Sequence, residues 1–134
     1  MEITVSVENG RVPITVLHVK GSIDGSSYQE FQATAKNLID GGTRYILVDL
    51  SQAPFVSSAG LRALHTISTE LRSRNPEANL SDEQMKRGIS AGTYRSPHLK
   101  LLNLSPQTKT AFETSGFDMY IDTFTDLKTA IASF

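Results

Sequence analysis

Cysteine is absent from this 134-residue chain, and with it any disulfide framework, thiolate metal site or cysteine nucleophile. An excess of charge is absent as well. Thirteen Lys and Arg stand against fourteen Asp and Glu, a formal net charge of −1, so no global field draws the protein to nucleic acid or to an anionic membrane. Long apolar runs are missing too: nothing approaches the ~20 residues of a membrane-spanning helix. The N-terminal Met-Glu-Ile-Thr-Val-Ser-Val-Glu alternates polar and apolar residues instead of joining a basic stretch to an apolar one, so it does not read as a secretory leader. These absences lead us to expect a soluble, unprocessed, cytoplasmic protein. Its length suits one domain that buries roughly two-thirds of its extended surface.

What is present is an alternation of strand and helix signals. Ile3, Val5 and Val7 alternate with polar neighbours, Asn9-Gly10 marks a tight turn, and Ile14 to Val19 alternates again, which predicts an opening hairpin. After Gly21-Ser-Ile-Asp-Gly25, Ser27-Tyr-Gln-Glu30 has capping-box spacing. Phe31, Ala35, Leu38 and Ile39 then recur at helical spacing up to Gly41-Gly42. Tyr45 to Val48 is short, apolar and β-prone, as a strand buried on both faces should be, and Leu61, Leu64, Ser68 and Leu71 share one face of a second helix.

Leu99 to Leu104 reads as another strand, Ser105-Pro106 as the cap and first position of a third helix that stops at Ser115-Gly116, Met119 to Phe124 as a last strand, and Leu127 to Phe134 as a closing amphipathic helix. The predicted class is α/β (mixed α+β), with a mostly parallel sheet of about five strands, an N-terminal antiparallel hairpin and about four helices. Residues 75–97 break the rhythm. They are polar and punctuated by Gly and Pro, and are expected to form a loop inserted in a single domain spanning 1–134.

The chemistry concentrates between Arg44 and His65. A strand ending near Asp49 is followed by a Pro-containing turn and then by Ser57-Ser-Ala-Gly60, which opens a helix. The first turn of a helix carries unpaired N–H groups and a partial positive charge, so hydroxyls placed there sit where a phosphate is best accommodated. Ser57 reads as the N-cap. That leaves Ser58 at the first helical position, pointing outward and free for modification.

Val48-Asp-Leu-Ser51 followed by Phe55-Val-Ser-Ser-Ala-Gly-Leu-Arg62 resembles the signature of the STAS domain family, which includes bacterial anti-sigma factor antagonists and the cytoplasmic domains of sulfate transporters. Gly21-Ser-Ile-Asp24 resembles the family's glycine-and-acid turn. Leu102-Asn-Leu-Ser-Pro106, with Phe112-Glu-Thr-Ser-Gly-Phe117, resembles its later strand-helix segment.

For the antagonist members, the resemblance implies a small domain that binds an anti-sigma factor with serine kinase activity, frees the sigma factor for transcription, and is switched off when that kinase phosphorylates a serine of the motif. The usual pattern is Asp-Ser-Ser/Thr-Gly with the first hydroxyl residue as acceptor. Aligned on Gly60, the acceptor falls on Ser58, Ser57 occupies the acidic position and becomes a rival acceptor, and Ala59 replaces the second hydroxyl. Asp24, Ser57, Ser58, Ala59, Gly60, Leu61 and Arg62 are then the expected partner edge, with Asp49 as a supporting acid near the serine.

Other chemistries find less support. Ser58 and His65 share a helix face but lie ~10 Å apart along its axis, too far for a nucleophile and its base. His18 and His98 have no partner at metal-ligand spacing, and no phosphate-binding glycine motif occurs. No metal, cofactor or enzymatic activity is expected. The second reading of the resemblance is a ligand-binding or scaffold module, associated with a transporter or sensor, in which Ser58 is never phosphorylated.

Overall fold

The computed structural model describes residues 1–74 and 95–134. Glu2–Asn9 (β1) and Pro13–Lys20 (β2) pair antiparallel from Glu2 opposite Lys20 to Asn9 opposite Pro13. Tyr28–Asp40 (α1) leads to Ile46–Gln52 (β3), and Ser58–Ser73 (α2) follows. Leu99–Leu102 (β4), Pro106–Ser115 (α3), a 3₁₀ turn at Phe117–Met119, Thr123–Phe124 (β5) and Leu127–Ala132 (α4) complete the described chain. The sheet order is β1-β2-β3-β4-β5, with every pair after the hairpin parallel. The fold class read from the sequence is the one observed.

The two faces of the sheet are covered unequally. On one, Leu17, Val19, Ile46, Val48, Leu50, Leu99 and Leu101 form a single core with the buried sides of α1 and α2 and with Phe112 of α3. On the other, Ile14, Val16, Leu47 and Leu102 pack against Ala130 of α4. Because α4 is short, the polar residues further along β2 and β3 on that face remain open.

Several local expectations resolve differently, each because a nearer bond competes. The hairpin loop is Gly10-Arg11-Val12, and neither Asn9 nor Gly10 has the positive φ that a two-residue type I′ turn requires. Ser27 does not close a capping box. Its hydroxyl donates to Ser22 O at 2.8 Å and accepts from Asp24 N at 3.0 Å, so the preceding turn claims it first. The last strand shrinks to Thr123–Phe124, since left-handed Gly116 leads into the 3₁₀ turn and the amides of Tyr120 and Ile121 both bond back to Phe117 O. Asn103, at φ 59°, ends β4 two residues early.

Of the segment expected as an insertion, residues 75–94 lie outside the described residues. Arg95 and Ser96 dock onto the stretch before β5: Arg95 Nε donates to Asp122 at 2.6 Å and Ser96 N to Tyr120 O at 2.6 Å.

Candidate functional site

The serine turn is built by a strap of main-chain bonds. As β2 ends, Gly21 N donates to Gln52 O, Ile23 N to Phe55 O and Ser57 N to Ile23 O, at 2.9, 3.0 and 2.8 Å, so residues 21–23 run parallel beside the exit of β3. From the other side, the Ser105 hydroxyl, which also caps α3, donates to Pro54 O at 2.9 Å. Gly60 lets the strap close. A Cβ there would stand 2.8 Å from Ile23 O and 2.7 Å from Val56 Cγ1, closer than such atoms approach in folded proteins.

Ser57 is the N-cap of α2, in extended conformation at φ −78° and ψ 177°, and its hydroxyl accepts from Gly60 N at 3.3 Å. Ser58 is the first residue of the helix and is exposed. The first turn of α2 holds no acidic residue, so the positive end of a 16-residue helix is unneutralised from within. Asp24, carried alongside by the strap, is the nearby acid. Hydrogen bonds from the Ser26 hydroxyl and amide, aided by Ser27, hold its carboxyl below the usual carboxylate range and keep it ionised at neutral pH.

The expected partner edge divides in two. Asp24, Ser57, Ser58, Ala59 and Arg62 reach the surface, whereas Gly60 and Leu61 are buried and serve the packing of α2 against the sheet. Arg62 stands one helical turn above Ser58, on the same face. A groove of about 370 Å³ between α1 and α2 begins here, lined by Tyr28, Gln32, Ala59, Arg62, Ala63 and Thr66.

Asp49 is not at this site. Strand alternation turns it to the opposite face from Val48 and Leu50, where its carboxylate accepts from His18 Nδ1 at 2.9 Å and from Ser51 N at 3.0 Å. Burial pushes its pKa upward, but those two bonds outweigh burial and leave it lowered. The structure thus places Asp49 with His18 and Ser51 and does not bring it beside Ser58, because β3 continues through Asp49 to Gln52 instead of ending there. His65 is engaged away from the serine: Nδ1 lies 2.5 Å from the Tyr120 hydroxyl, and its ring stacks on Phe117.

Phe55 opens the motif but was given no place on the expected partner edge; at 44% exposure it presents an aromatic ring in the turn ahead of Ser57. Its signal was a large apolar residue directly after Pro54, outside any periodic pattern. Tyr28 and Gln32 were missed because their place beside α2 depends on helix packing. Among the described residues, no group of three or more His, Asp or Glu is arranged to hold a metal ion, and no helix is long and apolar enough to cross a membrane.

Comparison with known proteins fits this geometry. Residues 5–82, which run from within β1 through the serine turn and α2, match the STAS domain model. The chain belongs to the STAS domain family. A curated relative, BtrV of Bordetella bronchiseptica, assigned as an anti-sigma factor antagonist, is 25% identical over 99 residues, 74% of this chain and 67% of BtrV.

Among solved structures, a Thermotoga maritima protein with the same assignment superposes on this STAS domain with a TM-score of 0.70 at 11% identity, covering 96% of this chain and 90% of that one. The phosphorylated form of Bacillus SpoIIAA superposes with a TM-score of 0.61 at 18% identity, covering 97% and 96%. At such identities the two structures establish the shared fold.

Proposed function

We propose that residues 1–134 act as one cytoplasmic STAS domain, a protein-binding switch of the anti-sigma factor antagonist kind. Its partner would be an anti-sigma factor that is also a serine kinase, and Ser58 would be the acceptor. The observation that carries this reading is the division of labour at the start of α2: Ser57 caps the helix, so Ser58 is exposed and its hydroxyl has no capping duty. The names of BtrV and the structural relatives support the partner class, and the phosphorylated state of SpoIIAA supports the modification.

The switch is electrostatic. A phosphate on Ser58 adds a charge of about −1.5 to −2 at the positive end of α2, with Arg62 at i+4 able to pair with it, so the fold tolerates the modification. A partner surface fitted to a neutral Ser58 and to ionised Asp24 must instead face two negative groups side by side, and affinity falls by about 100-fold or more. Asp24 reinforces this by repelling the phosphate from its own side of the turn.

The test is to incubate the protein with ATP and a cognate serine-kinase anti-sigma factor, then locate the phosphate by mass spectrometry. One phosphate on Ser58 is the expected result; a phosphate on neither Ser58 nor Ser57 overturns the proposal. In a second arm, Ser58→Asp should keep its melting temperature and lose the partner. Loss of the fold instead would mean that Ser58 is structural.

A further inference from the structure

The open face of the sheet carries a hydrogen-bonded side-chain chain that the serine switch does not use. Thr4, His18 and Asp49 lie in one row across β1, β2 and β3, each directly opposite the next. Asp49 accepts only, so the His18 Nδ1 at 2.9 Å carries a proton, and in the neutral ring Nε2 is then the acceptor. Ser6, two residues along β1 on the same face, places its Oγ 2.9 Å from that Nε2 and donates to it. The Asp49 carboxylate is itself oriented by Ser51 N at 3.0 Å.

Serine, imidazole and carboxylate therefore stand in the order and at the separations of a nucleophile, its general base and the group that fixes the base's tautomer. The three do not sit beneath a covered surface. The imidazole is 39% exposed and the carboxylate 16%, and both line a hollow of about 330 Å³ with Glu2, Thr4, Lys20 and Gln52; Ser6 is not one of the lining residues and adjoins the hollow through its 2.9 Å contact with His18 Nε2. That volume is at the small end of the range for ligand sites and admits a short-chain ester.

We propose that Ser6, His18 and Asp49 form a second site that accepts acyl groups from small esters, independent of Ser58. Ser6 Oγ attacks the ester carbonyl while His18 Nε2 takes its proton. The bond from Oγ to the acyl carbon forms, and the bond to the leaving oxygen breaks, with the proton returned from His18 to that oxygen or to solvent. Water, deprotonated by His18, then releases the carboxylic acid and restores the Ser6 hydroxyl. Thr4 and Lys20 supply the hydroxyl and the cation of the hollow. The expected rate gain is that of a positioned general base, roughly 100-fold over an unassisted serine.

The probe is p-nitrophenyl acetate, with nitrophenolate release followed by absorbance and the acetyl group located by mass spectrometry. The expected result is acetylation of Ser6, a roughly 100-fold loss of rate in Ser6→Ala, a comparable loss in His18→Gln, an intermediate loss in Asp49→Asn, and no change in Ser58→Ala. Melting temperatures of the variants are compared with the parent, and the location of the acetyl group in the unmutated protein decides the matter even where a variant unfolds. Acetyl groups spread over surface residues, or a Ser6→Ala protein that keeps its rate because the imidazole reacts alone, overturn the proposal. Since Ser58→Ala is assayed alongside, failure here leaves the serine switch untouched, and failure of the switch leaves Ser6 untouched.

Discussion

Along β3, Ile46, Val48 and Leu50 lie under α1 and α2, whereas Leu47 packs near α4 and Asp49 opens onto the hollow beside His18. Neighbouring residues of one strand thus serve two surfaces with different rules. The helix-covered face is dry and continuous, and its product is a rigid mount for the start of α2. The opposite face is dry only where α4 reaches, and past that limit polar side chains meet one another and solvent. Among the described residues, the limit of α4 separates a packed core from a hydrogen-bonded polar cluster.

The sharpest way to break this comparison is to mutate adjacent residues of β2. Leu17→Ala, on the covered face, should cost about 2–5 kcal/mol in denaturant unfolding. His18→Ala, one residue on, should cost only about 1 kcal/mol, the worth of its hydrogen bonds. Similar losses from the two would show that the open face is as structural as the core.

Next in size is Gly60→Ala, which forces a methyl group against Ile23 O and Val56. A loss of about 1–3 kcal/mol is expected, accompanied by loss of partner binding as the strap from residues 21–23 is pushed off the turn. Unchanged stability would mean that the turn does not depend on that close approach.

The two serines of the turn should then separate. Ser57→Ala loses the cap at about 1 kcal/mol, while Ser58→Ala changes thermal stability by less than about 0.5 kcal/mol and removes the phosphate site. Equal destabilisation by both would erase the division of labour between them.

The smallest effect is on the acid side. Asp49 has a lowered pKa in the folded state, so its contribution is complete above the unfolded carboxylate pKa of about 4 and is lost as pH falls through the lower folded value. Asp49→Asn should therefore weaken slightly at neutral pH and lose less stability than the parent between about pH 4 and the lower folded value, as acid unfolding followed by circular dichroism would record.

How far each feature could be read from the chain follows from how local its cause is. The caps at Ser57, Ser105 and Gly116 were legible because the bonds that make them span three or four residues. The capping box at Ser27 was misread for the same reason in reverse: its partners Ser22 and Asp24 lie on the N-terminal side of the serine, where the helix-start pattern does not look. Asp49 was placed at a strand end because the apolar run stops at Val48, yet pairing with β2 carries the strand on to Gln52. Lys100 gave no sign of burial. It ends beneath the C-terminus, donating to Ser133 O at 2.8 Å, where loss of hydration lowers its pKa despite the attraction of Asp122.

The alternation of elements, their periodicities and the start of α2 were thus contained in the chain itself, since each depends on propensity, capping or hydrophobic spacing within a few residues. Which distant residues meet was settled by strand register and by the unequal covering of the sheet. Ser6 and His18 are 12 positions apart, and His18 and Asp49 are 31 apart. Asp24 reaches the serine turn only through the strap beside β3. Register is set by burying whole faces at once, so no local stretch of sequence encodes it, and residues that alternate along one strand can be sent to a partner surface or to an open hollow by the packing around them.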